Sequence, residues 1–247
     1  MLFLLLFFSC SKNTRPDITS PDEEYQQIVN LFEEGNYEKA NNYLKYFFNR
    51  YPGSHWIDDA QFYYAETYYK LGSYMEAMNE FQFLLNNFPN SNWSELALLR
   101  KAQCLEKMAP LPQRDQTLTK EAIDTYNEFI RKYPYSKYLE EAYAGKKSAQ
   151  EKINQKLLEI GETYIKMGIN KSAIVYLTKV AESSEKWDDM ANLLLGNIAL
   201  SNSNDSLAIS YYLKVEGELK EQAQEKLKEI NWKEFSAEIL ILFIPGT

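Results

Sequence analysis

Gly35-Asn36-Tyr37-Glu38-Lys39-Ala40 recurs thirty-seven residues later as Gly72-Ser73-Tyr74-Met75-Glu76-Ala77. A second motif keeps step with it: Tyr51-Pro52-Gly53-Ser54, then Phe88-Pro89-Asn90-Ser91, then Tyr133-Pro134-Tyr135-Ser136. Each proline stands twelve residues after an alanine, pairing Ala40 with Pro52, Ala77 with Pro89 and Ala122 with Pro134. Four residues past each alanine comes a large side chain (Leu44, Phe81 or Tyr126), which a helix places on the alanine's own face. The proline ends that helix, because the residue before it is pushed out of the α region, and the serine is expected to cap the next helix. Unrelated amphipathic helices would not hold Ala, Pro and Ser in one register, so the chain reads as a repeat of helical hairpins.

Further hairpins follow. Leu157, Ile160, Gly161, Tyr164, Gly168, Ala173 and Leu177 keep the spacing in a fourth, and Gly196, Ala199, Ala208 and Tyr212 in a fifth. In the second, Tyr64, Ala65 and Tyr68 precede Gly72. Ala65, Gly161 and Gly196 are small where the two helices of a hairpin must approach closely. This pattern resembles the tetratricopeptide repeat, in which a small residue and a tyrosine in the first helix precede an A-x3-F pair and a closing proline in the second. The resemblance implies an all-α fold, a right-handed superhelical array of about five tetratricopeptide-like helical hairpins over residues 22–230.

Two irregularities divide the array. From Ala77 to Ala122 the step is 45 residues rather than 37, so eight residues are inserted inside the third hairpin, within 108–119. From Ala122 to Ala173 the step is 51, and no proline interrupts Ser136 to Met167. A single helix of about thirty residues, roughly 45 Å at 1.5 Å per residue, is expected there. The expected organisation is a signal segment over 1–9 and a tether over 10–21. Three hairpins then occupy 22–135, the long helix and two more hairpins 136–231, and a tail of unassigned role 232–247.

Composition removes much conventional enzymology. The 247 residues carry 27 basic and 35 acidic side chains, a formal net charge of −8, with no basic block to meet a phosphate backbone. Nucleic acid is therefore not an expected partner. One histidine, His55, cannot build a histidine-dependent triad or a histidine-rich metal site, and two cysteines cannot build a four-thiolate zinc site. No catalytic residue, metal or cofactor is expected.

Leu2 to Phe8 form a seven-residue apolar run ending at Ser9-Cys10. A membrane-spanning helix needs about 20 apolar residues, so the run suits the hydrophobic region of a secretory signal instead. An apolar run closing on a small residue and a cysteine resembles the lipobox of bacterial lipoproteins. That resemblance implies that Cys10 is lipidated and begins the mature protein. Ser11, rather than Asp, follows it, which by the same resemblance implies the outer membrane, facing the periplasm. Ser11 to Pro21 is polar, with Pro16 and Pro21, and reads as a flexible tether. With Cys10 acylated, Cys104 has no disulfide partner and is expected to be a small buried hydrophobe.

Lipobox, tether and five hairpins together resemble the BamD (YfiO) family of β-barrel assembly lipoproteins. The residues that carry the likeness are Pro110, Pro112, Arg114, Asp115, Gln116 and Thr119 in the insertion, and Ile160 to Gly168 in the fourth hairpin. The family implies a non-enzymatic scaffold that holds a BamA-like POTRA barrel protein beside other assembly-complex lipoproteins, and receives unfolded β-barrel precursors. A different periplasmic repeat adaptor, serving envelope constriction or peptidoglycan synthesis, is the second reading, and a hydrolase the third.

In a repeat array the first helix of each hairpin lines the concave face. Counting from Ile28, Ala65 and Ala102, the residues three before, one after and four after should face inward. Among them Tyr25, Phe32, Phe62, Glu66, Tyr69 and Gln103 are the expected peptide-binding set. An aromatic trough of this kind suits a precursor strand that is apolar on alternate positions. The competing reading for any one aromatic is packing between helices. Arg114, Asp115 and Gln116 are the expected partner contact, against simple ordering of the loop. The pairs Asp58-Asp59, Glu140-Glu141 and Asp188-Asp189 fall at expected helix starts and read as carboxylates at the positive end of the helix dipole, not as metal ligands.

Overall fold

The computed structural model describes the backbone of residues 20–242 and the side chains of residues 20–231. Cys10 and the signal segment therefore lie outside the described residues, as do the side chains of the tail. Among the described residues the secondary structure is helical throughout. The helices are α1 (Pro21–Glu33), α2 (Tyr37–Arg50), α3 (Ile57–Lys70), α4 (Tyr74–Asn87), α5 (Ser94–Met108), α6 (Thr117–Lys132), α7 (Leu139–Lys166), α8 (Asn170–Ser183), α9 (Asp188–Ser201), α10 (Asp205–Tyr212) and α11 (Lys220–Leu242). Taken in pairs, α1 to α10 are the five expected hairpins. The tail's backbone continues α11 as far as Leu242.

One three-point pattern explains the second helix of every hairpin. Ala40, Leu44 and Phe47 recur as Ala77, Phe81 and Leu84, as Ala122, Tyr126 and Phe129, as Ala173, Leu177 and Val180, and as Ala208, Tyr212 and, just past the end of α10, Val215. The spacing i, i+4, i+7 draws one stripe along a helix, and all fifteen of these side chains are buried. Burying each large apolar member stabilises the fold by about 1.5–3 kcal/mol. Where the facing helix carries glycine, the stripe closes to contact. A Cβ at Gly161 would lie 2.7 Å from Leu177 Cδ2, and one at Gly196 would lie 2.5 Å from Tyr212 Cε1. Gly145 in α7 meets the Tyr126 ring in the same way.

Four of the five hairpin turns share one backbone device. At the end of α1, Asn36 N–H reaches back to Leu31 O and Gly35 N–H to Phe32 O, with Gly35 at φ +79°. The α3, α7 and α9 ends repeat these 6→1 and 5→2 bonds, ending at Ser73, Ile169 and Asn204. They satisfy carbonyls that the last helical turn leaves without donors. The place of Gly35 is taken by Gly72, Gly168 or, in the last hairpin, Ser203 at φ +56°.

The third hairpin lacks this turn because the insertion replaces it. The inserted connection is 109–116, tighter than the expected 108–119, since Met108 still belongs to α5 and Thr117 to Thr119 form the first turn of α6. The expected long helix is α7, of 28 residues, about 42 Å at 1.5 Å per residue.

The serines after the prolines act differently from expectation. Ser54, Ser91 and Ser136 each accept the N–H two residues on, from Trp56, Trp93 and Tyr138, at 2.9–3.2 Å. They order the turn rather than cap the helix, whose N-cap positions in α3 and α7 are Trp56 and Tyr138.

The chain falls into two compact units, the first ending at Ala97 and the second beginning at Leu98. The division lies inside α5, earlier in the chain than residue 135. In the first unit a core of Tyr25, Ile28, Leu31, Ala40, Tyr43, Leu44, Phe47 and Ala60 binds α1, α2 and α3. Asn41 Nδ2 donates to Thr67 Oγ1 at 2.8 Å, and Gln61 Nε2 to Glu80 O and Oε2, tying α2 to α3 and α3 to α4. In the second unit one core joins α7, α8 and α9, and a further one joins α9, α10 and α11. Cys104 is buried, as a small hydrophobe should be.

Candidate functional site

Two regions hold most of the candidate residues, one in each compact unit. In the first, the loop leading into α3 supplies Trp56, whose ring stacks on Tyr25 at 4.4 Å and 8°. Its indole N–H donates to Asp22 Oδ1 at 2.6 Å. One repeat on, Trp93 stacks on Phe62 at 4.1 Å and 11° and donates to Asp59 Oδ1 at 2.6 Å. The two clips fix the first helix of one hairpin to the loop that starts the next.

Tyr63 is the hub between these clips. Its ring meets Tyr25, Phe32, Phe62 and Trp93 at centroid distances of 5.1–6.2 Å, mostly edge-on. Phe32 in turn meets Tyr37 at 5.2 Å. Phe32, Tyr37 and Tyr63 are each half-buried, so α1, the first residue of α2 and α3 offer a partly open aromatic face. The Tyr63 hydroxyl is held above its ordinary pKa by burial first, and then by the negative charges of Glu33, Asp59 and Glu66. Tyr25 is raised chiefly by burial too.

In the second compact unit the insertion is pinned to α7. Lys152 Nζ donates to Ala109 O at 3.4 Å and Lys156 Nζ to Arg114 O at 2.6 Å. Gln113 Nε2 donates to both carboxylate oxygens of Glu159 at 2.8 and 3.0 Å. Beside this seam lies a depression of about 410 Å³, lined by Gln113, Lys156, Glu159, Ile160, Thr163, Tyr164 and Met167. No group of three or more His, Cys, Asp or Glu side chains among the described residues is placed to hold a metal ion.

The sequence of residues 18–194 matches the family model YfiO, described as an outer membrane lipoprotein. The chain belongs to the YfiO family. No curated protein matches the sequence. Among solved structures, MamA from Desulfovibrio magneticus RS-1 is similar at 17% identity, covering 85% of this chain and 95% of that one, with a TM-score of 0.44. A tetratricopeptide repeat protein from Parabacteroides merdae ATCC 43184 is similar at 16% identity over 85% and 98% of the two chains, with a TM-score of 0.40. A thermophilic TPR protein of Thermus thermophilus gives 16%, 89%, 100% and 0.38 for the same measures.

Within this YfiO-family chain the candidate residues separate by burial. Tyr25 is 8% exposed and Phe62 4%, each covered by its tryptophan, so these two are packing residues and not walls of an open trough. Glu66 is buried as well. Phe32 and Tyr69 are half-buried, Tyr69 against Tyr74 at 5.6 Å. Gln103 lies in the second compact unit, where it bridges Arg100 and Glu141. Sequence reasoning missed Tyr63, Trp56 and Trp93. The signal was present, because both tryptophans stand four residues after a repeat proline.

The insertion triplet separates too. Gln116 is 4% exposed, donates to Leu111 O and Arg114 O, and accepts from Thr119 Oγ1, so it organises the loop and is no partner contact. Asp115 Oδ1 accepts the Thr117 N–H at 2.9 Å, and hydrogen bonding to Thr117 holds its carboxyl below the ordinary range. Arg114 is exposed and makes no side-chain ion pair among the described residues. The acidic pairs do open α3, α7 and α9, yet one member of each also reaches across: Asp59 to Trp93, Glu141 to Gln103, and Asp189 to the Glu216 N–H. His55 lies 3.4 Å from Asp22 and packs on Trp56.

Proposed function

We propose that this chain is a non-enzymatic scaffold of the outer-membrane β-barrel assembly machinery, anchored through lipid on Cys10 and facing the periplasm. Its partners on this reading are a BamA-like POTRA barrel protein and other lipoproteins of the complex, and its clients are unfolded β-barrel precursors. The match to an outer membrane lipoprotein family over residues 18–194 carries the reading. The half-open aromatic face at Phe32, Tyr37 and Tyr63 supports it, since an extended strand with apolar side chains on alternate positions finds large, amphipathic partners there. Lipid is the one covalent group required; each buried methylene of an acyl chain contributes about 0.8 kcal/mol to membrane attachment, and several chains hold it firmly.

The test is co-purification. A detergent extract of the envelope should yield this chain together with a POTRA-domain barrel protein, and depletion of the chain should lower barrel proteins in the outer membrane. Cys10→Ala should release the chain from the membrane. Retention of normal barrel-protein levels after full depletion would exclude the assembly role.

A further inference from the structure

We infer that the α1–α3 face of the first compact unit seats a Lys or Arg side chain of a bound polypeptide, over the rings of Phe32, Tyr37 and Tyr63 and beside Glu33. This rests on the reading of that face as a docking surface and narrows the chemistry of what docks.

Charge along the chain is divided unevenly. Residues 20–97 carry twelve acidic and four basic side chains, whereas residues 98–231 carry twenty of each. Residues 20–97 thus carry a net charge of −8, and residues 98–231 are neutral. A single-sign surface of this size attracts a partner of opposite sign.

The four bases of residues 20–97, Lys39, Lys45, Arg50 and Lys70, leave the aromatic face uncovered. Arg50 is paired with the buried Glu24 at 3.2 Å, and Lys39 stands over Tyr43. Among the described residues no cation of the chain itself stands over Phe32, Tyr37 or Tyr63. Glu33 is exposed and makes no ion pair among the described residues. Its charge, with those of Asp59 and Glu66, is felt at the Tyr63 hydroxyl. Ring faces attract a cation through their quadrupole, and a neighbouring carboxylate adds a direct charge. An acidic or purely apolar ligand would use neither.

The experiment uses the full chain in detergent and three labelled nine-residue peptides with aromatic residues at alternate positions. The intervening positions hold Lys, Gln or Glu, and binding is read by fluorescence anisotropy. The Lys peptide should bind about tenfold more tightly than the Gln peptide, and the Glu peptide most weakly. Glu33→Lys should weaken the Lys peptide about fivefold and leave the Gln peptide within about twofold. Glu182→Lys, exposed on α8 within the neutral stretch 98–231, should leave both unchanged. Equal binding of all three peptides overturns the cation seat while strand docking stands. An equal loss from Glu182→Lys and Glu33→Lys also overturns it. Binding of the Lys peptide alone, still sensitive to Glu33→Lys, supports the seat and shows that alternating aromatics without a cation do not suffice. Failure of every peptide to bind overturns both.

Discussion

Asp59 accepts the indole N–H of Trp93 at 2.6 Å, and one repeat earlier Asp22 does the same for Trp56 at the same distance. Thirty-four residues separate the partners in each case. The carboxylate sits one turn before the aromatic on which the indole stacks, Phe62 or Tyr25, so one tryptophan is held by its edge and its face at once. Among the described residues the next repeat does not copy the clip, because Leu96 occupies the position equivalent to Asp59 and Tyr138, not a tryptophan, stands four residues after Pro134.

The Asp59 clip is testable through its charge. Burial raises the Asp59 carboxyl above its ordinary value, and the Trp93 donor only partly counters this. A carboxyl raised on folding contributes fully below its unfolded value, and that contribution is lost as pH rises through the folded value. Asp59→Asn keeps an acceptor and removes the charge, so it should raise the melting temperature at pH 7 and give no gain at pH 3. Asp59→Leu should instead cost about 1–3 kcal/mol, because the indole N–H loses its partner. Equal shifts for Asn at both pH values would contradict the assignment.

Close helix contact at Gly196 and Gly161 gives a second expectation. The Tyr212 ring at Gly196 is buried and tethered through its hydroxyl to Asn197 Oδ1 at 2.8 Å, so it cannot swing aside. Gly196→Ala and Gly161→Ala should each cost about 1–3 kcal/mol in urea unfolding, overpacking outweighing the better helix propensity of alanine. Gly53→Ala is the control, since a Cβ there meets nothing within 4 Å. It should be neutral or slightly stabilising.

The hairpins were legible in the sequence because a buried stripe must return every turn and the closing turns need glycine and proline at set places. Ala40, Ala77 and Ala122 with their partners four residues on sit where the 3.6-residue period puts them. The open aromatic face was less legible for a physical reason. Register places Tyr25 and Phe62 inward but does not reveal that a tryptophan from the following loop covers each. Tyr63, next to Phe62, is left as the more open ring. Gln116 misled for a related reason: a polar residue in a loop looks like a contact, but a loop folded on itself buries the amide that organises it. Phe62→Ala would therefore lower stability by about 3–5 kcal/mol and is a poor probe of binding.

Ser203 holds φ +56° where the equivalent turns use Gly35, Gly72 and Gly168. A side chain in the left-handed region costs roughly 1–2 kcal/mol, and part of that is recovered because glycine has a more flexible unfolded state. Ser203→Gly should stabilise the second compact unit by about 0.5–1 kcal/mol, read as a higher urea midpoint with an unchanged slope. Gly72→Ser, the reverse exchange in the second hairpin, should destabilise by a similar amount. If both left the midpoint where it is, the turn backbone would not be as described.

The insertion separates order from contact. Gln116 holds the loop from inside, through Leu111 O, Arg114 O and Thr119, while the Arg114 guanidinium points to no partner among the described residues. Gln116→Ala should leave the helices folded but speed proteolysis within 109–116, with a loss of about 1–3 kcal/mol for the unsatisfied loop carbonyls. Arg114→Ala should stay within about 0.5 kcal/mol of the parent in unfolding experiments. Any drop in capture of a POTRA-domain barrel protein by Arg114→Ala would then report a lost contact rather than a loosened loop. Parent-level capture by Arg114→Ala with reduced capture by Gln116→Ala would assign the effect to loop order instead.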